Sequence, residues 1–157
     1  MATISLKSGN KAPEFNSIDQ NGAQIKLSDF KGKKLILYFY PKDNTSGCTA
    51  EACSLREGYE NLVNLGYDVI GVSPDSEKSH QSFIKKFDLP FSLIADKNQE
   101  VATLYGTWGE KKMYGRSYMG ILRTTFLIDE KGIITHVISK VNTGDHFNQI
   151  LEIVEKP

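Results

Sequence analysis

The sequence has little of what several large functional classes require. It contains only two cysteines, Cys48 and Cys53, in 157 residues, which is too few for a disulfide-stabilised scaffold. Lysine plus arginine equals aspartate plus glutamate, 19 against 19, so no net charge attracts nucleic acid or an anionic membrane. The most apolar run, residues 35–40, is far too short to cross a bilayer. We therefore expect a protein that binds neither nucleic acid nor membrane.

The first fifteen residues also lack the apolar segment and the small-residue cleavage site of a secretory signal. This predicts a soluble, cytoplasmic protein. The length and the 39% hydrophobic content predict one domain, residues 1–157, with room for a hydrophobic core. In a reducing compartment a close pair of cysteines is more often catalytic, redox-sensing or metal-binding than structural. Cys48 and Cys53 are therefore the first candidates for function.

Apolar and turn residues alternate along the chain in a way that predicts strands and helices in turn. Asn21-Gly22 predicts an N-terminal hairpin, and the continuous apolar run at 34–40 predicts a central strand covered on both faces. Other strands are predicted at 67–73, 91–95, 124–129 and 133–139, helices at 48–65, 76–87, 98–105 and 145–154, and a Gly-rich loop at 106–120. This order predicts an α/β domain of thioredoxin-like fold. It has a mixed central β-sheet flanked by helices on both faces, with an N-terminal β-hairpin extension.

Cys48 is predicted to lie in the first turn of a helix, after a buried strand and a loop. Unpaired backbone N–H groups and the positive end of the helix dipole are found at such a position, and both favour thiolate over thiol. Thr45 carries a hydroxyl that could donate to the sulfur or to a substrate oxygen, and Pro41 would shape the loop and keep bulk water away. A lone cysteine here would be interpreted as a small buried hydrophobe. The presence of Cys53 on the same helix favours a reactive pair.

A cation that stabilises the thiolate has to come from elsewhere in the chain. Arg123 is the best candidate, because the start of the strand at 124–129 could lie beside the Cys48 loop and a guanidinium could also hold a peroxide oxygen. A surface arginine at a strand edge fits this position equally well. Arg56 is a second candidate. Glu51 is a candidate hydrogen-bond acceptor for arginine or water, although a first-turn glutamate is also ordinary helix chemistry.

Other uses of two cysteines fit the sequence less well. Zinc needs about four ligands, and the histidines lack metal-ligand spacing and are scattered singly along the chain, at His80, His136 and His146. Thioredoxin-type exchange normally uses C-x-x-C, and the spacing here is longer. A cysteine hydrolase needs a histidine base, which the sequence does not place beside Cys48, although His136 keeps this alternative open. A redox sensor that signals to a partner without turnover, and a structural domain with inert thiols, also stay open.

Residues 41–53, PKDNTSGCTAEAC, closely resemble the active-site segment of the peroxiredoxins. More narrowly, they resemble the bacterioferritin comigratory protein or peroxiredoxin Q branch, which is marked by a second cysteine five residues after the first. Residues 12–15, APEF, and the segment 105–129 resemble the same branch. The resemblance therefore covers nearly the whole chain.

This resemblance implies a thioredoxin-like fold and a peroxidase that reduces hydrogen peroxide and organic hydroperoxides. Carried over by motif, Cys48 matches the peroxidatic cysteine, Cys53 the resolving cysteine, and Pro41, Thr45 and Arg123 the remaining catalytic set. The branch implies a Cys48 sulfenic acid, then an intramolecular disulfide that thioredoxin or a similar dithiol reduces, and a monomeric state. The implied reaction needs no metal, flavin or haem as a cofactor.

The spacing of the two cysteines also predicts a conformational change. Five residues along an ideal helix separate two Cα atoms by about 8.7 Å, and disulfides rarely form beyond about 7 Å. If Cys48 and Cys53 pair, the first turns of the helix must therefore unwind. We expect amide hydrogen exchange across residues 46–56 to accelerate when the disulfide forms. If exchange across these residues were the same in the reduced and the oxidised protein, the expectation that oxidation unwinds the helix would be refuted.

Overall fold

The structure, a computed structural model, describes residues 4–155 and is built around a mixed five-stranded sheet. In chain order the elements are β1 (Asn16–Ile18), β2 (Gln24–Lys26), β3 (Lys34–Phe39), α1 (Ser46–Asn64), β4 (Tyr67–Ser73), α2 (Glu77–Phe87), β5 (Ser92–Ala95), α3 (Glu100–Leu104), β6 (Trp108–Met113), β7 (Arg116–Ile121), β8 (Thr124–Ile128), β9 (Ile134–Ile138) and α4 (His146–Glu155). Short 3₁₀ turns span Leu27–Phe30 and Thr143–Asp145.

Strand β3 lies at the centre of the sheet, whose order is β5-β4-β3-β8-β9. It pairs in parallel with β4 and antiparallel with β8, so the predicted mixed sheet is confirmed. Residues 35–40 are completely buried because alternate side chains enter two different cores. A strand covered on both faces needs apolar residues at every position, which explains the continuous apolar run.

The two faces of the sheet are covered unequally. Helices α1, α2 and α4 pack on one face, and Gly58 of α1 lies so close to α4 that a Cβ there would overlap the Phe147 ring. The other face is covered by the five-residue helix α3 together with the N-terminal segment, including Phe15 and Leu27. Helices therefore lie on both faces, as expected, and the short α3 shares its face with the N-terminal segment.

The N-terminal hairpin is present as predicted. Strands β1 and β2 pair antiparallel, and the Asp19 side chain accepts hydrogen bonds from the backbone N–H groups of Asn21 and Ala23. Gly22 has φ +76°, a left-handed conformation that glycine adopts without steric cost. This turn chemistry explains why the Asn-Gly signal was reliable here.

The loop predicted at 106–120 is wrong, because most of this segment forms the β6–β7 hairpin. Tyr114 and Gly115 form its two-residue turn, and both have positive φ, 53° and 77°, as a primed hairpin turn requires. Most of the strand residues are exposed, and they lack the alternation of a half-buried strand. The hairpin ends two residues before Arg123 and therefore helps to position it.

Helix α1 begins at Ser46, two residues earlier than the pattern predicted, with Thr45 as its N-cap residue. The Thr45 hydroxyl does not cap the helix and instead donates to the Lys42 carbonyl at 2.8 Å. Cys48 is thus the third residue of the helix and still lies in its first turn. Within residues 4–155, no helix is both long and apolar enough to cross a membrane.

Candidate active site

Cys48 lies at the start of α1 with only 1% of its surface exposed. As the third helical residue, it lies among the first backbone N–H groups, which have no partner inside a helix. The positive end of the helix dipole is also there. The local fold therefore places a buried sulfur where partial positive charge is concentrated.

Arg123 supplies a full positive charge to the same sulfur. Its Nη2 lies 3.3 Å from Cys48 Sγ, and its Nη1 donates to Glu51 Oε1 at 2.7 Å. The sheet register explains this contact, because Phe39 pairs with Thr124 and so places Arg123 level with the start of the Cys48 loop. Burial alone would lower the pKa of Arg123, but the nearby Glu51 and Cys48 raise it overall. The guanidinium therefore stays charged.

Glu51 is completely buried and holds the other side of the guanidinium. Its second oxygen, Oε2, has no hydrogen-bond partner among the described residues and lies 3.5 Å from His146 Nε2. Burial raises the pKa of Glu51 from 4.5 to about 7, although Arg123 lowers it by charge and hydrogen bonding. Near neutral pH, Glu51 is thus present in both protonated and ionised forms.

His146, at the start of α4, is a buried neighbour of Glu51. Burial lowers the pKa of His146 to about 4; the Gln149 hydrogen bond raises it and Arg123 lowers it further, so the ring is neutral. Gln149 donates from Nε2 to the Lys140 carbonyl, so its Oε1 accepts from His146 Nδ1–H at 2.9 Å. Nε2 then accepts from the Thr125 hydroxyl at 2.8 Å. Nothing in the sequence spacing links His146 to this site, because α4 reaches it only through the packing of α4 on α1.

Among the hydrogen bonds of the described residues, none joins the other residues that the sequence singled out to the Cys48 sulfur. Pro41 is half-buried and lies two residues after the end of β3. Thr45 is exposed, and its hydroxyl is bound to the Lys42 carbonyl rather than to Cys48. Arg56 donates to the Phe87 carbonyl at 2.7 Å and to Glu57, which directs it to the end of α2 and away from the Cys48 sulfur.

Cys53 lies on the same helix and is partly buried. Both cysteines are free thiols, and α1 is continuous from Ser46 to Asn64. The structure therefore shows the reduced, helical form of the pair.

Comparison with known proteins assigns the chain to a family. A family model described as AhpC/TSA matches residues 8–137. The chain belongs to the AhpC/TSA family. It is 43% identical over 152 residues to the peroxiredoxin Bcp of Bacillus subtilis (strain 168), covering 97% of both chains. It is 42% identical over 146 residues to the peroxiredoxin Bcp of Escherichia coli (strain K12), covering 93% of this chain and 94% of that one.

A solved structure gives the same result for the fold. The bacterioferritin comigratory protein of Xanthomonas campestris matches with a TM-score of 0.84 at 32% identity, covering 90% of both chains. The resemblance to the Bcp branch of the peroxiredoxins and the thioredoxin-like fold are therefore confirmed. Thiol-dependent peroxidase activity follows from membership of this branch, and a redox sensor without turnover is not favoured.

The Glu51 carboxyl makes a prediction about stability and pH. Its pKa is about 7 in the folded protein and 4.5 in the unfolded chain, so its contribution to stability is fully present below pH 4.5 and is lost as the pH rises through 7. Glu51→Gln mimics the protonated carboxyl and avoids this loss. We therefore compare the free energy of unfolding of Glu51→Gln with that of the unsubstituted protein. We expect the variant's advantage to be larger at pH 8 than at pH 5 by on the order of 2–3 kcal/mol.

Urea unfolding at several pH values measures this difference. Glu60→Gln, on the exposed part of the same helix, controls for the loss of an acidic residue. A Glu51→Gln difference that is the same at pH 5 and pH 8 would show that the buried carboxyl does not take up a proton.

Proposed function

We propose that Cys48 is the peroxidatic cysteine of this thiol peroxidase and that Cys53 resolves it in an intramolecular disulfide. The observation that carries the proposal is the 3.3 Å contact between Arg123 Nη2 and Cys48 Sγ at the start of α1. A helix start and a guanidinium both stabilise a thiolate, which is the nucleophilic form of cysteine. Both act on this one sulfur.

In the first step, the Cys48 thiolate attacks one oxygen of the hydroperoxide. The S–O bond forms as the O–O bond breaks, and the leaving oxygen takes a proton to become water or an alcohol. Arg123 stabilises the negative charge that develops on that oxygen. Cys48 becomes a sulfenic acid, the first stage of cysteine oxidation.

In the second step, the Cys53 thiolate attacks the Cys48 sulfur. The S–S bond forms as the S–O bond of the sulfenic acid breaks, and the departing hydroxide takes a proton to become water. The intact α1 holds the two cysteines too far apart for this bond, so the first turns of the helix open. An external dithiol then reduces the disulfide by thiol–disulfide exchange and restores both thiols. We propose thioredoxin as this dithiol.

Hydrogen peroxide and organic hydroperoxides are the proposed substrates. The study of the similar Xanthomonas campestris protein concerns alkyl peroxide reduction by that protein, which supports organic hydroperoxides here. Thr45, whose exposed hydroxyl is accessible from solvent, is proposed to hold a peroxide oxygen, and Pro41 to exclude water. We also propose that the protein is a single domain, that it is monomeric and that it acts in the reducing cytoplasm.

Serine substitutions separate the two cysteine roles. Cys48→Ser should abolish the peroxide-dependent oxidation of thioredoxin, because serine cannot form a sulfenic acid. Cys53→Ser should still form one sulfenic acid per molecule but should stop recycling by thioredoxin. A coupled assay with thioredoxin and its reductase measures turnover, and a sulfenic acid trap measures the first step.

Each variant is the control for the other, since each removes one thiol from the same helix. Retained turnover in Cys48→Ser would disprove the peroxidatic role of Cys48. Undiminished recycling in Cys53→Ser would disprove the intramolecular disulfide but leave the first step standing.

A further inference from the structure

A second buried polar cluster lies at the loop of residues 40–45, which leads from β3 into α1 and so to Cys48. It centres on Asp43, within that loop, and on His80, in the first turn of α2, with 7% and 0% of their surfaces exposed. In the hydrogen bonds of residues 4–155, neither side chain contacts Cys48 or Arg123. The peroxidase steps described above do not use them.

The hydrogen-bond partners of His80 indicate which of its ring nitrogens carry a proton. Nε2 lies 2.9 Å from the carbonyl oxygen of Ile94, which can only accept, so Nε2 carries a proton. Nδ1 lies 2.7 Å from Asp43 Oδ2. Without another proton, a nitrogen lone pair would face a carboxylate at this distance. A second proton therefore lies between Nδ1 and Oδ2 and is shared by the two side chains.

A second carboxylate lies beside this pair. An Asp75 oxygen, an Asp43 oxygen and a His80 ring nitrogen all lie within 4.8 Å of one another. The same trio offers atoms that could bind a metal ion. However, Asp75 Oδ2 already accepts the Asp43 backbone N–H at 2.8 Å and the Ser73 hydroxyl at 2.7 Å. Asp75 therefore connects the backbone of the loop at Asp43 to the segment that follows β4.

These bonds fasten the first part of the loop to the body of the protein. The Asp43 carboxylate also accepts the hydroxyls of Tyr40, at 2.6 Å, and Ser79, at 2.8 Å. Tyr40 follows β3, Asp75 follows β4, and Ser79 and His80 lie on α2. Since none of these partners belongs to α1, the anchor does not depend on the helix that has to open.

The second part of the loop is less firmly held. Asn44 has φ +62°, a left-handed conformation that asparagine adopts more readily than most residues other than glycine. Its side chain accepts from Lys86 at 3.1 Å, but both side chains are exposed. Thr45 and Ser46 are exposed as well. The loop therefore has a fixed part that ends at Asp43 and a freer part that leads into α1.

We propose that the proton-sharing pair Asp43–His80 is a positioning device that returns Cys48 to Arg123 after each cycle of helix opening and disulfide reduction. The proposal rests on the peroxidatic role proposed for Cys48. Asp43 and His80 touch neither peroxide nor sulfur, so they are positioning residues. Loss of the anchor impairs the step that needs Cys48 beside Arg123. It does not impair the step that needs the helix open.

His80→Phe tests the anchor by removing both ring donors. Because small misplacements of reacting groups cost up to about 100-fold in rate, we expect Cys48 oxidation by peroxide to slow by about tenfold or more. Disulfide formation should keep its rate or become faster. Single-turnover stopped-flow kinetics, with Trp108 fluorescence as the signal, separates the two steps. Asp43→Asn, with His80 intact, should oxidise Cys48 at close to the rate of the unsubstituted protein, because the asparagine amide can donate to a neutral His80 Nδ1.

His136→Phe is the matched control, since His136 is exposed on β9. An unchanged peroxide step in folded His80→Phe would overturn the proposal. Equal slowing of both steps would overturn it too, because general destabilisation predicts that result.

A second measurement is independent of the variants and of activity. In the reduced, unsubstituted protein with ¹⁵N-labelled histidine, NMR should show a protected, downfield proton bound at His80 Nδ1. Its absence would overturn the proposal even if His80→Phe does not fold. If peroxide fails to oxidise Cys48 in the unsubstituted protein, the proposed function fails, while this NMR signal still tests the anchor.

Discussion

The Arg123 guanidinium, shared between a buried carboxyl and a buried sulfur, is the interaction on which the site depends. Cys48 and Glu51 are three residues apart, so they lie on one side of α1 and a single guanidinium can reach both. The pairing of β8 with β3 then brings Arg123 to them from the other end of the chain. Glu51 orients the arginine, while its own burial keeps its pKa near neutrality.

The same helix imposes a conflict between the two halves of the proposed reaction. Its first turn concentrates positive charge on Cys48, but five residues of helix separate Cys48 from Cys53 by more than a disulfide can span. Reactivity thus needs the helix start that pairing has to disrupt. A loop anchored at Asp43 to elements other than α1 offers a fixed point from which the helix start can reform.

The sequence predicted those features whose signals are local. The apolar run of β3 follows from burial on both faces, and the Asn-Gly turn specifies the first hairpin. The β6–β7 hairpin was missed because its strands are exposed and its turn uses Tyr114-Gly115. His80 and His146 were missed because their partners come from distant parts of the chain, where spacing carries no signal. Motif resemblance indicated Arg123, but its contact with Glu51 depends on the sheet register.

The most direct test of this account compares two reactions of Cys48 when Arg123 is changed. Arg123→Met should slow oxidation by hydrogen peroxide by about 10²–10³-fold, as expected for loss of a donor that stabilises developing charge. Alkylation by iodoacetamide should slow far less, because no oxyanion develops in that reaction. Arg123→Lys should retain only part of the peroxide rate, since lysine keeps the positive charge but cannot donate to two acceptors through a planar guanidinium. Arg116→Met is the control, because Arg116 is exposed on β7. A wild-type peroxide rate in Arg123→Met, or equal slowing of both reactions, would contradict the account.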